Sequence, residues 1–273
     1  MKTLKALFST ILLLAILTNV GGAARAAITI PQGFTRILSD TGVKVYRKNY
    51  AGGQPDFVTV VDLRSGTLRN FTGWVSGEAV YRKTLRTFWN DAAAQNSSIK
   101  RAKVVLNGTF FATNDRDPYP PVGIAFGLKA DWWRMSYGYG VGNEYPGLIR
   151  TFAFDSDFGS SSIQSYSRGT FDSGIPNVVG GLDATANKDK TRYIARTFVG
   201  VRDDNNDGHA ETIMFFSSKA ATQALAFNTL RSFGAGSIMM LDGGGSGGLI
   251  VDGTSHITPS RSIPQAFVVY AGR

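Results

Sequence analysis

The residues with the most chemical potential lie in one stretch, Met240-Leu241-Asp242-Gly243-Gly244-Gly245-Ser246-Gly247-Gly248. Asp242 closes an apolar run, and the glycines behind it have no Cβ to keep successive N–H groups from converging on one concavity, a nest for phosphate or carboxylate oxygens. A carboxylate beside such a nest could act as nucleophile or general base, or it could simply hold a tight turn. The run satisfies G-x-G-x-x-G by letter. A dinucleotide site, however, needs that motif to open a helix in a βαβ unit, and here Leu249-Ile250-Val251-Asp252-Gly253 reads as strand and turn. A phosphate loop fails because no Gly-Lys-Ser/Thr follows. Gly244-x-Ser246-x-Gly248, with Asp252 and His256 downstream, has the Ser-Asp-His order of α/β-hydrolases. That nucleophile also needs a helix behind it, so a serine hydrolase using Ser246 stands as the less favoured alternative.

Composition narrows the chemistry further. The 273 residues contain no cysteine and two histidines, which excludes disulfides, thiolate zinc sites, cysteine nucleophiles and a histidine-rich metal centre. No cofactor and no metal are expected. Asp203, Asn205, Asp207 and Gly208 match the start of a calcium loop, but position 12 is Met214 where glutamate is required; a hairpin tip is the expectation. The formal charge of +9 suits anionic glycans or envelope polymers. The basic residues are dispersed and form no recognised nucleic-acid motif, so no nucleic-acid partner is expected.

Hydrophobic periodicity places the elements that must hold these residues. Strands are expected over 43–46, 57–63, 103–106, 152–154, 163–166, 178–179, 237–241, 248–251 and 266–270. A hairpin is expected from 195–202 and 211–217, and helices over 84–97 and 221–233, the second ending at Gly234. Residues 112–150, rich in glycine, proline and aromatics, read as a long irregular insertion over a site, where Trp132, Trp133, Tyr137 and Tyr139 could form a sugar-stacking platform or cover the core. The fold class is α+β: one domain over 27–273 with a mixed β-sheet and few helices.

Four ordered blocks carry a resemblance. Met240 to Ser246 looks like the LDGGGS signature of the phosphodiester glycosidase family, which includes the mannose 6-phosphate uncovering enzyme. Val105-Leu106-Asn107-Gly108-Thr109-Phe110-Phe111, Ala195-Arg196-Thr197-Phe198-Val199-Gly200 and Arg261-Ser262-Ile263-Pro264-Gln265-Ala266 are similar to three further blocks of that family. The resemblance spans about residues 57 to 271. Gly247-Gly248 stand where the family usually has serine or threonine.

The resemblance implies hydrolysis of a sugar joined through its anomeric oxygen to a phosphodiester. Phosphate is a weakly basic leaving group, so one carboxylate with cations and N–H donors would suffice where other glycosidases need two carboxyl groups. Asp242 is then nucleophile or general base, Arg196 the phosphate clamp, and Asn107 the group orienting sugar hydroxyls or phosphate. Gly243, Gly244, Gly245 and Ser246 supply N–H donors, Thr197 accompanies Arg196, and Arg261 is a second cation. Asp62 is either a second carboxylate or a solvent-facing strand end. A phosphorylated glycan or sugar phosphodiester is the expected partner. The other class left open is a non-catalytic envelope glycan-binding protein of the same fold.

The N-terminus reads as an export signal. Lys2 and Lys5 precede the apolar run Ala6 to Leu17, which is short of the about 20 residues that span a bilayer, and Ala24-Arg25-Ala26 offers a cleavage site. Residues 1–26 are thus expected to be removed, leaving a periplasmic or extracellular chain with no stable membrane insertion.

Overall fold

The computed structural model describes residues 28–113 and 121–273. The expected signal peptide, and residues 114–120 of the expected insertion, lie outside the described residues. In chain order the first elements are β1 (Phe34–Asp40), β2 (Val43–Lys48), β3 (Asp56–Asp62), β4 (Gly66–Thr72), β5 (Val75–Ser76), β6 (Ala79–Val80), α1 (Leu85–Ala93) and β7 (Arg101–Asn107). Then come β8 (Val122–Gly123), β9 (Leu128–Ala130), β10 (Trp133–Ser136), β11 (Ile149–Asp155), β12 (Ser160–Ser165), α2 (Arg168–Asp172) and β13 (Asn177–Asp183). The last are β14 (Ile194–Arg202), β15 (Thr212–Ala221), α3 (Gln223–Ser232), β16 (Ser237–Met240), β17 (Leu249–Val251), β18 (Thr254–Ile257) and β19 (Gln265–Ala271), with a 3-10 turn over Gly244–Ser246.

The strands form a large sheet, β1-β2-β3-β15-β14-β16-β13-β11-β12 with β9 and β10 attached to β13, a five-stranded sheet β18-β17-β7-β19-β4, and a small β5-β6-β8 sheet. The pairings between these strands are antiparallel, so the expected mixed sheet is not found. Helical crossovers do join strands of like direction: in β12–α2–β13 the strand β11 lies between and pairs antiparallel with both, and α3 likewise links β15 to β16. β14 lies between them and pairs antiparallel with both. The chain is therefore mostly β with few helices, an α+β fold in a loose sense. The segment expected to be irregular holds β8, β9 and β10.

Period-2 side-chain alternation explains the layering. On β15, Ile213 and Phe215 face the core between the two sheets, while Met214 and Phe216 face the opposite cluster with Ala226, Leu230 and Phe233 around α3. On β19, Phe267 meets Phe152 and Phe215 of the large sheet at ring separations of 5.8 and 5.1 Å. Its neighbour Tyr270 points the other way and donates to Ala92 O of α1 at 3.3 Å. Both sheets are thus covered on two faces, which is why β3, β15 and β19 read as continuous apolar runs.

Both longer helices begin at threonine caps. Thr84 Oγ1 accepts from Thr87 N at 3.0 Å and Thr222 Oγ1 from Leu225 N at 3.2 Å. α1 stops short of Ser97 because Asn96 Oδ1 accepts from Ala102 N (2.7 Å) and Ser97 Oγ from Lys100 N (3.1 Å), turning the chain into β7.

Candidate active site

Three strand ends converge at one edge of the sandwich: the C-termini of β7 and β16 and the N-terminal part of β14. Asn107 ties them together. Its Oδ1 accepts from Thr197 Oγ1 (2.7 Å) and Gly248 N (3.0 Å), and its Nδ2 donates to Asp242 O at 2.6 Å. Asp242 N donates in turn to Gly108 O at 2.9 Å. A buried amide, satisfied on both sides, therefore fixes where the Asp242 backbone lies between the sheets. The glycine run closes in behind it: a Cβ on Gly243 would sit 2.4 Å from Ala195 O.

Asp242 is half-buried in the wall of a cavity of about 370 Å³ shared with Phe110, Phe111, Tyr139, Lys188 and Arg261. Desolvation pushes its carboxyl up to about 6, against the opposing pull of the Ser246 hydroxyl, the Gly243 N–H (2.9 Å) and the charges of Arg261 and Lys188. Ser246 Oγ is buried without a partner at hydrogen-bonding geometry, so it acts on the carboxylate as a nearby dipole. Each phenylalanine of the 105–111 block backs one cation: Lys188 Nζ stands 5.9 Å from the Phe110 ring centre and the Arg261 guanidinium 6.0 Å from that of Phe111. Neither cation is hydrogen-bonded or ion-paired among the described residues. The Tyr139 hydroxyl is raised by burial, with Glu144 and Asp242 adding to the shift.

Arg196 also lines this cavity, but its fork is occupied. Its N–H groups donate to the carbonyls of Ala221 (3.2 Å), Lys188 (2.9 Å), Asp189 and Arg192 (3.4 Å), and the residue is 3% exposed. That geometry shapes the 188–192 loop and leaves little for a phosphate. Thr197 is spent on Asn107. Gly244 and Gly245 lead into the 3-10 turn, and their N–H groups have no intramolecular acceptor among the described residues.

Asp62 lies elsewhere. It pairs with Thr212, which pairs with Arg202, six residues along β14 from Arg196, or about 20 Å at ~3.4 Å per residue. Its Oδ1 accepts from Arg64 N (3.2 Å) and Nε (2.8 Å). It is a structural strand-end carboxylate, not a second group for Asp242.

The aromatic platform is not assembled either. Tyr139 joins the cavity, whereas Trp133 lines a separate groove with Asn70 and Lys83, and Tyr137 donates to Asp172 Oδ1 (2.6 Å) under the Arg134 guanidinium. Nor do Ser246, Asp252 and His256 meet: Asp252 pairs with Lys103 at 3.3 Å and the His256 ring packs 5.0 Å from Phe57. Asp203, Asp207 and Glu211 offer oxygens within 4.8 Å of one another that could hold a metal ion, at the Arg202 end of β14 and away from Asp242. Lys188 is the cavity residue that sequence reading overlooked. It is one of the dispersed basic residues, and the loop clamped by Arg196 turns it inward.

Solved structures with the same fold include a hypothetical protein from Synechocystis, with TM-score 0.60, 13% identity, and coverage of 89% of this chain and 69% of that one. They also include the zebrafish N-acetylglucosamine-1-phosphodiester alpha-N-acetylglucosaminidase catalytic domain, auto-inhibited by its pro-peptide, with TM-score 0.55, 14% identity, and coverage of 87% and 84%. At these identities the likeness is one of fold. No curated protein sequence matches the chain. The family model for phosphodiester glycosidase matches residues 100–270, which contain Asn107, the Arg196-Thr197 pair, the Asp242 glycine run and Arg261. With that match over more than half of its length, the chain belongs to the phosphodiester glycosidase family.

Proposed function

We propose that this protein is an exported hydrolase that releases a sugar from a sugar 1-phosphodiester of an envelope or extracellular phosphoglycan, with Asp242 at the reacting centre. The observation that carries this reading is one carboxylate with a raised pKa in a cavity where two of the lining cations, Lys188 and Arg261, act on it only through their charge and make no ion pair or hydrogen bond among the described residues. The substrate phosphate would supply an anionic partner for both. Asp189 also lines the cavity, but its carboxylate is turned to Arg192 at 3.3 Å.

In the reaction the bond between the anomeric carbon and the bridging oxygen breaks, and its electron pair leaves with the phosphate, which departs as a phosphomonoester. A water oxygen bonds to the anomeric carbon and its proton passes to Asp242. If Asp242 attacks first as nucleophile, the same water hydrolyses the resulting glycosyl ester. Arg261 and Lys188 stabilise the charge gathering on the phosphate, joined by the open N–H groups of Gly244 and Gly245. Asn107, Thr197 and Arg196 are positioning residues that hold the Asp242 backbone and the Lys188 loop.

The test is hydrolysis of an α-N-acetylglucosamine 1-phosphodiester by the wild type and by Asp242→Asn. Sugar release by wild type, lost in a folded variant, is the expected outcome, and the anomer first released separates the nucleophile from the base. Equal release by both proteins would remove Asp242 from the chemistry. No release by either would favour a different sugar or a glycan-binding role.

A further inference from the structure

Gln265 opens β19, one residue before Ala266, which sits opposite Asn107 in the β19–β7 register. It is 1% exposed, and the reaction described above does not use it. Its Oε1 accepts from Thr109 N at 2.7 Å, whereas its Nε2 is buried with no partner. A buried amide satisfied on one side only contributes little to stability, because the hydrogen bonds its NH2 group leaves unmade offset the one its carbonyl makes. Its presence in a packed core needs another reason. The backbone is shaped to admit it as well, since a Cβ on Gly108 would overlap Gln265 Oε1.

The bond that Gln265 makes lies at a branch point. On one side of Thr109, Gly108 O receives Asp242 N at 2.9 Å. On the other, Phe110 and Phe111 back Lys188 and Arg261. Asn107 Nδ2 holds the Asp242 carbonyl, and Gln265 holds the turn that receives the Asp242 N–H. Two carboxamides, one at the end of β7 and one at the start of β19, thus hold Asp242 from both sides of its Cα.

We propose that Gln265 is a positioning residue, a latch on the Gly108–Thr109 turn that sets the Asp242 carboxylate against the two cations. This deepens, and rests on, the hydrolytic function proposed above. Buried beneath the turn, Gln265 does not touch substrate; it acts through Thr109 N and Gly108 O.

Three variants test the latch. Gln265→Met fills the same space without the carbonyl, Gln265→Asn stops one methylene short, and Gln265→Glu keeps an oxygen at full reach. With an α-N-acetylglucosamine 1-phosphodiester at neutral pH, Gln265→Met and Gln265→Asn are expected to lose at least about tenfold in kcat with KM within about threefold, while Gln265→Glu stays within about threefold of wild type in both. The acid limb of the pH–rate profile should also move below about 6 in the first two, because a loosened Asp242 carboxyl reaches water. Arg261, Lys188, Asp189 and Tyr139, which line the cavity with it, are the same in every variant. No loss in Gln265→Met and Gln265→Asn, an equal loss in Gln265→Glu, or a loss with the acid limb unmoved overturns the latch. If Gln265→Met does not fold, the contrast between Gln265→Asn and Gln265→Glu decides in the same way, and failure of both Gln265→Met and Gln265→Asn to fold makes Gln265 structural and overturns it. If the wild type releases no sugar, the hydrolytic function fails and the latch is read from stability. Asp242→Asn should then raise the urea midpoint at alkaline pH by less in the Gln265→Met or Gln265→Asn background than in the wild type; equal gains, zero included, overturn it.

Discussion

Asp242 carries a carboxyl held at about 6 instead of 3.8, and desolvation is the largest cause. Acting as nucleophile or base requires the ionised form, so kcat/KM is expected to fall as pH drops through about 6, with the ionisation read from the pH–rate profile of the free enzyme. The same shift has a stability consequence of fixed sign. Between the unfolded and folded values the native state keeps a proton that the unfolded chain has released, so stability declines with rising pH across that window. The cost is complete above it. Asp242→Asn should therefore be more stable than wild type by about 2 kcal/mol at alkaline pH, a gain that fades at acid pH, while losing roughly 10³-fold or more in rate. Urea unfolding at both ends of the range measures the first effect, and a variant no more stable at alkaline pH would count against the buried carboxylate.

The two arginines of the site separate in the same way. Arg196→Ala strands four main-chain carbonyls and should cost about 3 kcal/mol or more of stability. Arg261→Ala should unfold like wild type but lose about 10- to 100-fold in kcat/KM through weaker phosphate binding. The reverse pattern would restore Arg196 as the clamp. Arg196 and Arg261 are both legible as site residues from their motif blocks, but their division of labour is not. A guanidinium turned onto carbonyls looks, as a letter, like one turned onto phosphate.

At the scale of elements, the glycine run is a set of positions with different needs. Gly243 faces Ala195 O, where a methyl group has no room, so Gly243→Ala should push β14 from the 3-10 turn and cost at least about 2 kcal/mol. Gly244 opens onto empty space but has φ +56, so Gly244→Ala should cost only about 1–2 kcal/mol, from backbone conformation. Chemical denaturation of the pair checks the ordering, and equal losses would mean that packing against β14 is not what Gly243 provides. Elements were legible where apolar residues outnumber polar ones on a covered face, as in the β14–β15 hairpin and α3. β1 was not, because it is an edge strand whose Phe34-Thr35-Arg36-Ile37-Leu38-Ser39-Asp40 leaves both faces largely open to solvent. β18, with Thr254-Ser255-His256-Ile257, likewise offers too little apolar alternation to be seen.

For the whole molecule, export predicts that the chain made in a bacterial host begins at Ala27. N-terminal sequencing of the fractionated protein checks this, and a full-length cytoplasmic product would sink it. Among the described residues no helix is long and apolar enough to cross a membrane. By itself the sequence determined the chemistry on offer: no thiol, an aspartate ahead of a glycine run, ordered motif blocks, and a strand-rich chain able to cover two sheet faces. These are properties of composition and local pattern, which survive without knowledge of contacts. The tertiary structure decided what depends on direction and distance between remote segments. It made the sheets antiparallel by seating β11, β14 and β19 between strands of like direction, sent Asp62 to the far end of the sheet, spent Arg196 on carbonyls, and turned Lys188 towards Asp242. A one-residue change of register reverses a side chain's face, and a hydrogen-bonded partner is chosen by proximity in space, so neither outcome is written in the order of the letters.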